Sequence, residues 1–210
     1  MPDTPVSSPV LREAHVERRT RETQISVQLC LPGDLPPQPP QIDTPVPFLS
    51  HMLEALARHG ALGLSVAARG DTEIDDHHTV EAVGLVLGAA LDQALGQRAG
   101  IARFGHCSLC MDETLVDCAL DIGGRPYLVF YLPAIAGRRV GGFDCDLVRE
   151  FFQALVVQAR MNLHLHLRAG GNAHHVIEAA FKGFARALRM AVTHDPLSAG
   201  VVPSTKGNLV

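Results

Sequence analysis

The chain has 210 residues, 47% of them hydrophobic and 19% charged, which is the composition of an ordinary globular protein with room for a substantial core. A formal net charge of −4 gives no general electrostatic reason to bind nucleic acid, and no apolar run approaches the roughly 18 residues of a membrane span. Five cysteines without a secretory signal sequence favour free thiols in a reducing compartment, so we expect a cytoplasmic protein.

The first half of the chain alternates strands and helices after a loose N-terminal tail, residues 1–11. Alternating apolar positions and helical periodicity predict a strand, a helix, a strand and a helix, over residues 18–31, about 48–58, 62–68 and about 76–95. A proline-rich segment follows the first strand and ends it. Gly84 and Gly88, on the second helix, would allow that helix to pack closely against a sheet.

The second half repeats this order. Its expected elements are two strands, a helix, a strand and a helix, over residues 113–120, 127–132, about 145–160, 163–167 and about 173–193. The halves, about 12–100 and 101–195, therefore predict an α+β fold made by internal duplication of a strand-and-helix unit, with helices packed on one face of each sheet. Because the opposite sheet faces would remain uncovered, we expect the protein to self-associate.

A histidine-rich helix start marks each copy of the repeat. His77-His78-Thr79-Val80-Glu81 recurs as His174-His175-Val176-Ile177-Glu178, and a helix-capping residue stands two positions before each pair, Asp75 or Asn172. Residues four apart share a helix face, so the first histidine and the glutamate of each copy can approach one point while the second histidine points elsewhere. Two imidazoles and a carboxylate favour Zn, Mn, Fe or Ni over Ca or Mg.

Two further candidate ligands come from the preceding helices. Alignment of the halves places His51 opposite Glu150. Taken singly, His51 could be a hydrogen-bonded core histidine and Glu150 a surface carboxylate. Together with the duplicated motifs they give enough ligands for two sites of four, and the candidates are His51, His77, His78, Glu81, Glu150, His174, His175 and Glu178.

A loop near the C-terminus carries groups that can bind an anion. Ser204, Thr205 and Lys206 offer hydroxyl, backbone and ammonium donors for a phosphate, although a solvated tail would have the same composition. Arg103 and Arg125 could add guanidinium contacts or could be surface residues. Glu22, expected on the first strand, could act as an acid or base or be an exposed strand residue. His164 and His166 would share one strand face and serve structural hydrogen bonds.

A series of short motifs in this order resembles the imidazoleglycerol-phosphate dehydratase family of histidine biosynthesis, from about residue 12 to the C-terminus. The motifs are Arg19-Thr20-Arg21-Glu22-Thr23, Ser50-His51-Met52-Leu53, Arg58-His59-Gly60, Asp75-Asp76-His77-His78, Arg103-Phe104-Gly105, Gly124-Arg125-Pro126-Tyr127, Asn172-Ala173-His174-His175 and Pro203-Ser204-Thr205-Lys206-Gly207. The resemblance implies one dehydratase domain over residues 12–210, with a ribosomal protein S5 domain 2-like fold, two pseudo-repeats and a C-terminal phosphate-binding tail.

The resemblance also implies a reaction and an assembly. Members are lyases that convert imidazoleglycerol phosphate to imidazole acetol phosphate and water, with two Mn²⁺ per active site, in hollow particles of twenty-four subunits whose active sites lie between subunits. Carried over to this chain, the metal ligands are the eight candidates above and Glu22 transfers the proton. The substrate and phosphate contacts are His59, Arg103, Arg125, Lys182, Ser204, Thr205 and Lys206.

The chemistry explains why metal ions are expected. The proton to be removed sits on a carbon with no adjacent carbonyl and is barely acidic. A metal ion on a ring nitrogen favours the imidazolate, which can expel the hydroxyl group to give a diazafulvene, while Glu22 moves the proton.

The chain departs from the family pattern at Pro45, Ser50, Ala55 and Ala82, where members usually have Gly, Asp, Gln and Asp. These departures put a substrate hydrogen bond and the orientation of some ligands in doubt but remove no ligand. They keep open a non-catalytic relative of the enzyme. A hydrolase that uses two metal ions to activate water is a further alternative, although it would not need the anion-binding residues.

Overall fold

The computed structural model describes residues 12–33, 36–198 and 200–209, so the tail predicted for residues 1–11 lies outside the described residues. Two four-stranded sheets are joined by four helices that lie between them. No helix in the described part of the chain combines the length and the apolar character that a membrane crossing requires.

The first half forms one sheet and two helices. Its elements are β1 (Glu13–Arg19), β2 (Thr23–Cys30), β3 (Gln41–Asp43), α1 (Pro47–Gly60), β4 (Gly63–Gly70) and α2 (His77–Leu95). The strand order is β1-β2-β4-β3, with β3 parallel to β4 and the other pairs antiparallel. Alternate residues of β2, such as Ile25 and Val27, are fully buried, whereas Gln24 and Gln28 face solvent, which is the pattern of a strand with one covered face.

The second half has the same topology. Its elements are β5 (Phe104–Met111), β6 (Thr114–Asp121), β7 (Tyr127–Tyr131), the two-residue strands β8 (Arg139–Val140) and β9 (Phe143–Asp144), α3 (Leu147–Ala159), β10 (Asn162–Ala169) and α4 (Ala173–Val192). The strand order β5-β6-β10-β7 repeats that of the first sheet, again with the last strand parallel to its neighbour. The internal duplication expected from the sequence is therefore confirmed.

The helices hold the two halves together. α2 packs on β1 and β2, α4 packs on β5 and β6, and across the middle α2 contacts α3 while α1 contacts α4. Their apolar faces merge into one core with those of both sheets. The expectation that Gly84 and Gly88 face a sheet is wrong: a side chain at these positions would lie 2.5 Å from the Phe151 carbonyl and 2.4 Å from the Leu155 carbonyl, both on α3.

One predicted strand is two strands in the structure. The segment 18–31 contains the end of β1, a turn and β2, because the Thr20 hydroxyl accepts hydrogen bonds from the backbone N–H groups of Glu22 and Thr23 and reverses the chain. Glu22 therefore lies in a turn, not on a strand. The remaining predicted elements agree with the structure to within three residues at each end, whereas β1, β3, β5 and the two-residue strands β8 and β9 were not predicted as separate strands.

Candidate active site

Both histidine motifs start a helix as the sequence predicts. The backbone N–H of His77 donates to the Asp75 carboxylate at 2.8 Å, and that of His174 donates to the Asn172 side-chain oxygen at 3.0 Å. These bonds satisfy N–H groups that the first turn of a helix leaves without partners. The caps thus fix where each helix begins, and with it the direction of the histidine and glutamate side chains.

Three of the eight predicted metal ligands meet in the described structure. One potential ligand atom from each of His51, His174 and Glu178 lies within 4.8 Å of the other two. His174 Nε2 is 2.9 Å from Glu178 Oε2, and His51 Nε2 is 3.6 Å from the same oxygen. His51 reaches the motif from the other half of the repeat because α1 packs against α4.

The floor of this cluster is buried and charged. Glu178 is only 7% exposed, and its second oxygen accepts a hydrogen bond from Lys182 Nζ at 2.7 Å. Burial alone would raise the pKa of Glu178, but the Lys182 ammonium and the neighbouring histidines outweigh it and lower the pKa, so the carboxylate stays ionised. Phe48 lies against both imidazoles, with its ring centroid 5.3 Å from that of His174.

The donor set fits a transition-metal ion. Two imidazole nitrogens and one ionised carboxylate oxygen already face one point, and this mixture is typical of sites for Mn, Fe, Ni or Zn. Three protein ligands also leave coordination positions for further groups.

The candidate ligands of the first motif and of α3 do not come as close together as those of the second motif. His77 and Glu81 lie in the first turns of α2, Glu150 lies in the first turn of α3, and these helices pack together. Within residues 12–33, 36–198 and 200–209, however, no ligand atoms of these three side chains gather as closely as those of His51, His174 and Glu178. Their role as a second site stays a prediction.

The second histidine of each motif is held by a carboxylate. His78 Nδ1 is 3.0 Å from Asp71 Oδ2, and His175 Nδ1 is 2.8 Å from Glu113 Oε2. The Asp71 hydrogen bond raises the pKa of His78, and the charge of Glu22 acts in the same direction. With Nδ1 occupied in this way, Nε2 is the ring atom that each histidine can offer to a metal ion.

Asp71 and Glu113 were not among the predicted site residues. Asp71 lies seven residues before His78, directly after β4, and reaches the imidazole across the short connection between β4 and α2. Glu113 did carry a signal, since Glu113-Thr114 opens a strand in the second half as Glu22-Thr23 does in the first.

The predicted anion-binding residues divide into two groups. Arg103, Arg125, Ser204, Thr205 and Lys206 line one cavity of about 560 Å³ together with the rest of the C-terminal segment. In that cavity Arg103 is held by Asp121, at 2.7 and 3.0 Å, and donates to the Pro203 carbonyl at 2.7 Å.

Lys182 and His59 do not line that cavity. Lys182 belongs to the metal-ligand cluster through Glu178. His59 lies in the last turn of α1, where burial, followed by the charges of Lys182 and Arg186, lowers its pKa and favours the neutral imidazole. Glu22 is exposed in the β1–β2 turn.

His164, His166 and the residues that depart from the family pattern lie outside the ligand cluster or support its helices. His164 and His166 stack at 6.1 Å on the outer face of the second sheet, and neither belongs to a cluster of potential metal ligands among the described residues. Ser50 shares a hydrogen bond with Thr44 at 2.8 Å, while Ala55 and Ala82 are buried in helices. All five cysteines are free thiols.

Comparison with known proteins gives a consistent result. The family model described as imidazoleglycerol-phosphate dehydratase matches residues 44–188. The chain is similar to imidazoleglycerol-phosphate dehydratase of Thermosynechococcus vestitus, at 54% identity over 95% of this chain and 93% of the relative. It is also similar to that of Geobacter metallireducens, at 52% identity over 94% of this chain and 99% of the relative.

Solved structures agree with these relatives. The crystal structure of imidazoleglycerol-phosphate dehydratase from Staphylococcus aureus matches with a TM-score of 0.76 and 39% identity, over 87% of this chain and 99% of that chain. That from Pyrococcus furiosus matches with a TM-score of 0.76 and 34% identity, over 92% of this chain and all of the other.

Proposed function

Because the chain belongs to the imidazoleglycerol-phosphate dehydratase family, and is thus a hydro-lyase of histidine biosynthesis, we propose that its dehydration of imidazoleglycerol phosphate depends on metal ions. The observation that carries this proposal is the convergence of His51, His174 and Glu178, with an ionised carboxylate among two imidazoles. The product would be imidazole acetol phosphate, and we place the enzyme in the cytoplasm.

The proposed metal content is two Mn²⁺ per active site. His51, His174 and Glu178 would hold one ion, and His77, Glu81 and Glu150 would contribute to the other, with His78 and His175 supplying their Nε2 atoms. The bound ions would supply Lewis acidity toward the substrate imidazole. Lys182 keeps Glu178 ionised and so prevents a proton from occupying the position of the ion.

The substrate phosphate is assigned to the C-terminal cavity. Arg103 and Arg125 offer guanidinium donors, and Ser204, Thr205 and Lys206 offer hydroxyl, backbone and ammonium donors to the same space. Binding energy from the phosphate would then orient the imidazole end of the substrate. His59 and Lys182, which lies beside Glu178, would contact the rest of the substrate.

Glu22 is assigned the proton transfer. It is an exposed carboxylate in a turn, and its backbone carbonyl accepts a hydrogen bond from Asp71, the partner of His78, so it lies near one of the proposed metal ligands. Among the described residues it belongs to no cluster of potential ligands. A carboxylate in that position could accept the proton from the carbon that neighbours the hydroxyl-losing carbon attached to the ring, while the hydroxyl group leaves as water.

We further propose a homo-oligomer of twenty-four subunits with active sites between them. His51, His174 and Glu178 are an incomplete coordination sphere, and the C-terminal cavity shares no residue with them. The carboxylate-held imidazoles of His78 and His175 could complete the spheres of neighbouring copies. The partners required are therefore the phosphorylated imidazole substrate and other copies of this chain, with no nucleic acid and no membrane.

An assay of purified, manganese-loaded protein tests the proposed function. We expect imidazole acetol phosphate to form, and the rate to fall to background after exhaustive chelation and return when Mn²⁺ is added. Hydrolysis of phosphate from the substrate without dehydration would instead indicate a metal-dependent hydrolase. Absence of any turnover in metal-loaded protein would indicate a non-catalytic relative.

A further inference from the structure

The two carboxylates that hold the second histidines do not occupy equivalent positions of the repeat. Glu22 precedes β2 and Glu113 precedes β6, so these two glutamates correspond. Asp71 directly follows the eight-residue strand β4, and the position that follows the eight-residue strand β10 is Gly170. Asp71, the partner of His78, thus lies at the end of a strand, whereas Glu113, the partner of His175, lies in the turn before a strand.

The second half has no room for a carboxylate at the strand end. Gly170 adopts a φ of +104°, and a side chain there would start 2.3 Å from the Thr114 hydroxyl and 2.7 Å from the Thr114 Cα atom. Because L residues rarely adopt this backbone conformation, an aspartate equivalent to Asp71 is excluded. The carboxylate for His175 therefore comes from Glu113.

Both carboxylate oxygens of Glu113 make contacts that hold it beside His175. Oε2 lies 2.8 Å from His175 Nδ1. Oε1 accepts hydrogen bonds from the Thr114 hydroxyl at 3.1 Å and the Asn172 backbone N–H at 3.2 Å. Asn172 is also the cap of α4. Glu113 thus links a strand, a helix start and an imidazole, which fixes its conformation.

Glu22 has the opposite surroundings. Its backbone carbonyl accepts a hydrogen bond from the Asp71 N–H at 3.2 Å, so the two residues are neighbours. Asp71 uses its carboxylate on His78, and the Glu22 carboxylate makes no hydrogen bond with any described residue. A carboxylate without fixed partners is free to turn toward a substrate proton, whereas the contacts at both oxygens of Glu113 restrict that movement.

We propose that Asp71 and Glu113 are positioning residues for His78 and His175, and that Asp71 frees Glu22 by replacing it as the partner of the histidine. The two copies of the repeat therefore use equivalent glutamates for different tasks: Glu113 orients a metal ligand and Glu22 transfers a proton. This inference rests on the proposed function of Glu22.

The test measures the affinity of the assembled, chelator-treated protein for Mn²⁺, by electron paramagnetic resonance of the free ion during a titration. Loss of a carboxylate that orients a metal-binding histidine lowers metal affinity by about 10- to 100-fold. We expect this loss for one class of sites in Asp71→Asn and in Glu113→Gln, and recovery of most of the affinity in the variant Glu113→Asp. Circular dichroism melting verifies that each variant is folded.

Two controls separate positioning from general effects of removing charge. Asp43→Asn removes a carboxylate from an exposed ion pair with Arg69, so Mn²⁺ affinity should be unchanged. Glu22→Gln should also bind Mn²⁺ normally, because Asp71 retains His78. In an Asp71→Ala background, however, Glu22, whose backbone carbonyl accepts a hydrogen bond from position 71, would take over as the partner of His78, and there Glu22→Gln should lower the affinity further, by several-fold or more.

Unchanged Mn²⁺ affinity in folded Asp71→Asn and Glu113→Gln would overturn the positioning role. If Glu22→Gln lowered the Mn²⁺ affinity by the same factor whether or not Asp71 is present, the division of tasks between the two glutamates would be overturned. Because turnover is not the readout, failure of the dehydration assay would refute the proposed function without altering these affinities. Failure of every variant and of the unmodified protein to bind Mn²⁺ would refute both.

Discussion

Glu178 shows how single residues prepare the ligand cluster. A buried carboxylate without partners would be costly, and in a folded protein it would tend to take up a proton. Here His174, Glu178 and Lys182 follow one another at intervals of one helical turn, so the imidazole, the carboxylate and the ammonium lie along one face of α4. The helical spacing therefore keeps the carboxylate charged and directed at His174, and the packing of α1 on α4 adds His51.

The proposed proton transfer by Glu22 can be tested at the same scale. Glu22→Gln keeps the shape and polarity of the side chain but removes its ability to accept a proton. We expect kcat to fall by about 10²- to 10⁴-fold, with little change in substrate binding or Mn²⁺ content. Steady-state kinetics and metal analysis of the purified variant measure both quantities.

Glu17→Gln is the matched control, because Glu17 is an exposed glutamate on β1, 71% accessible and outside the ligand cluster and the cavity. Its kcat should equal that of the unmodified enzyme. Full turnover in Glu22→Gln would remove Glu22 from the proton-transfer role.

At the scale of elements, the contact between α2 and α3 sets the distance between two groups of proposed ligands. Gly84 and Gly88 let the two helix backbones approach each other, because they have no Cβ atom. A Cβ atom at either position would lie within 2.5 Å of a carbonyl oxygen on α3. His77 and Glu81 start one of these helices and Glu150 starts the other. Helix packing in the core therefore determines the geometry at the surface.

Gly84→Ala should separate these helices. The added methyl group would meet the Phe151 carbonyl, and overpacking of this kind costs about 1–3 kcal/mol. Chemical denaturation measures the loss. Gly183→Ala on α4 is the control: its methyl group would have ordinary contacts at 3.5 Å, so the gain in helix propensity should leave stability equal or higher. Equal stability changes in the two variants would contradict this explanation.

Arg98 connects the helices to the C-terminal segment. Its guanidinium is 2% exposed, pairs with Asp92 on α2, and donates to the Ala159 carbonyl at 3.0 Å and the Leu209 carbonyl at 3.4 Å. Leu209 lines the cavity assigned to the phosphate. A buried side chain therefore holds one wall of that cavity in place.

Arg98→Met should lower stability by about 1–3 kcal/mol, because it leaves buried carbonyl groups without donors. It should also raise the KM for the phosphorylated substrate more than it lowers kcat. Arg160→Met is the control, since Arg160 pairs with the same Asp92 from a position 42% exposed and should contribute no more than about 1 kcal/mol. A KM equal to that of the unmodified enzyme would show that Arg98 has no influence on the cavity.

The sequence predicted local features better than contacts between distant elements. The caps Asp75 and Asn172 were predictable because capping depends on residues only two positions apart. The turn that contains Glu22 was missed because its polar residues continue the alternation of polar and apolar residues in the strands on both sides. The partner of Gly84 and the contact between Glu113 and His175, which are 62 residues apart, depend on which elements become neighbours, and no local pattern specifies this.

At the scale of the whole molecule, duplication explains the arrangement of the site. Two copies of one unit pack through their helices, so α1 of the first half meets the histidine motif of the second half. In the described part of the chain, three of the predicted metal ligands thus gather in one cluster, and two further histidines are oriented by carboxylates. This arrangement supports our proposal that neighbouring copies complete each other's metal sites.

Native mass spectrometry of the manganese-loaded protein tests this account most directly, because it weighs the assembly and its metal ions together. We predict a particle of twenty-four chains of 22.5 kDa that carries two Mn²⁺ per chain and loses them on chelation. A folded 22.5 kDa monomer that binds no transition metal would contradict it.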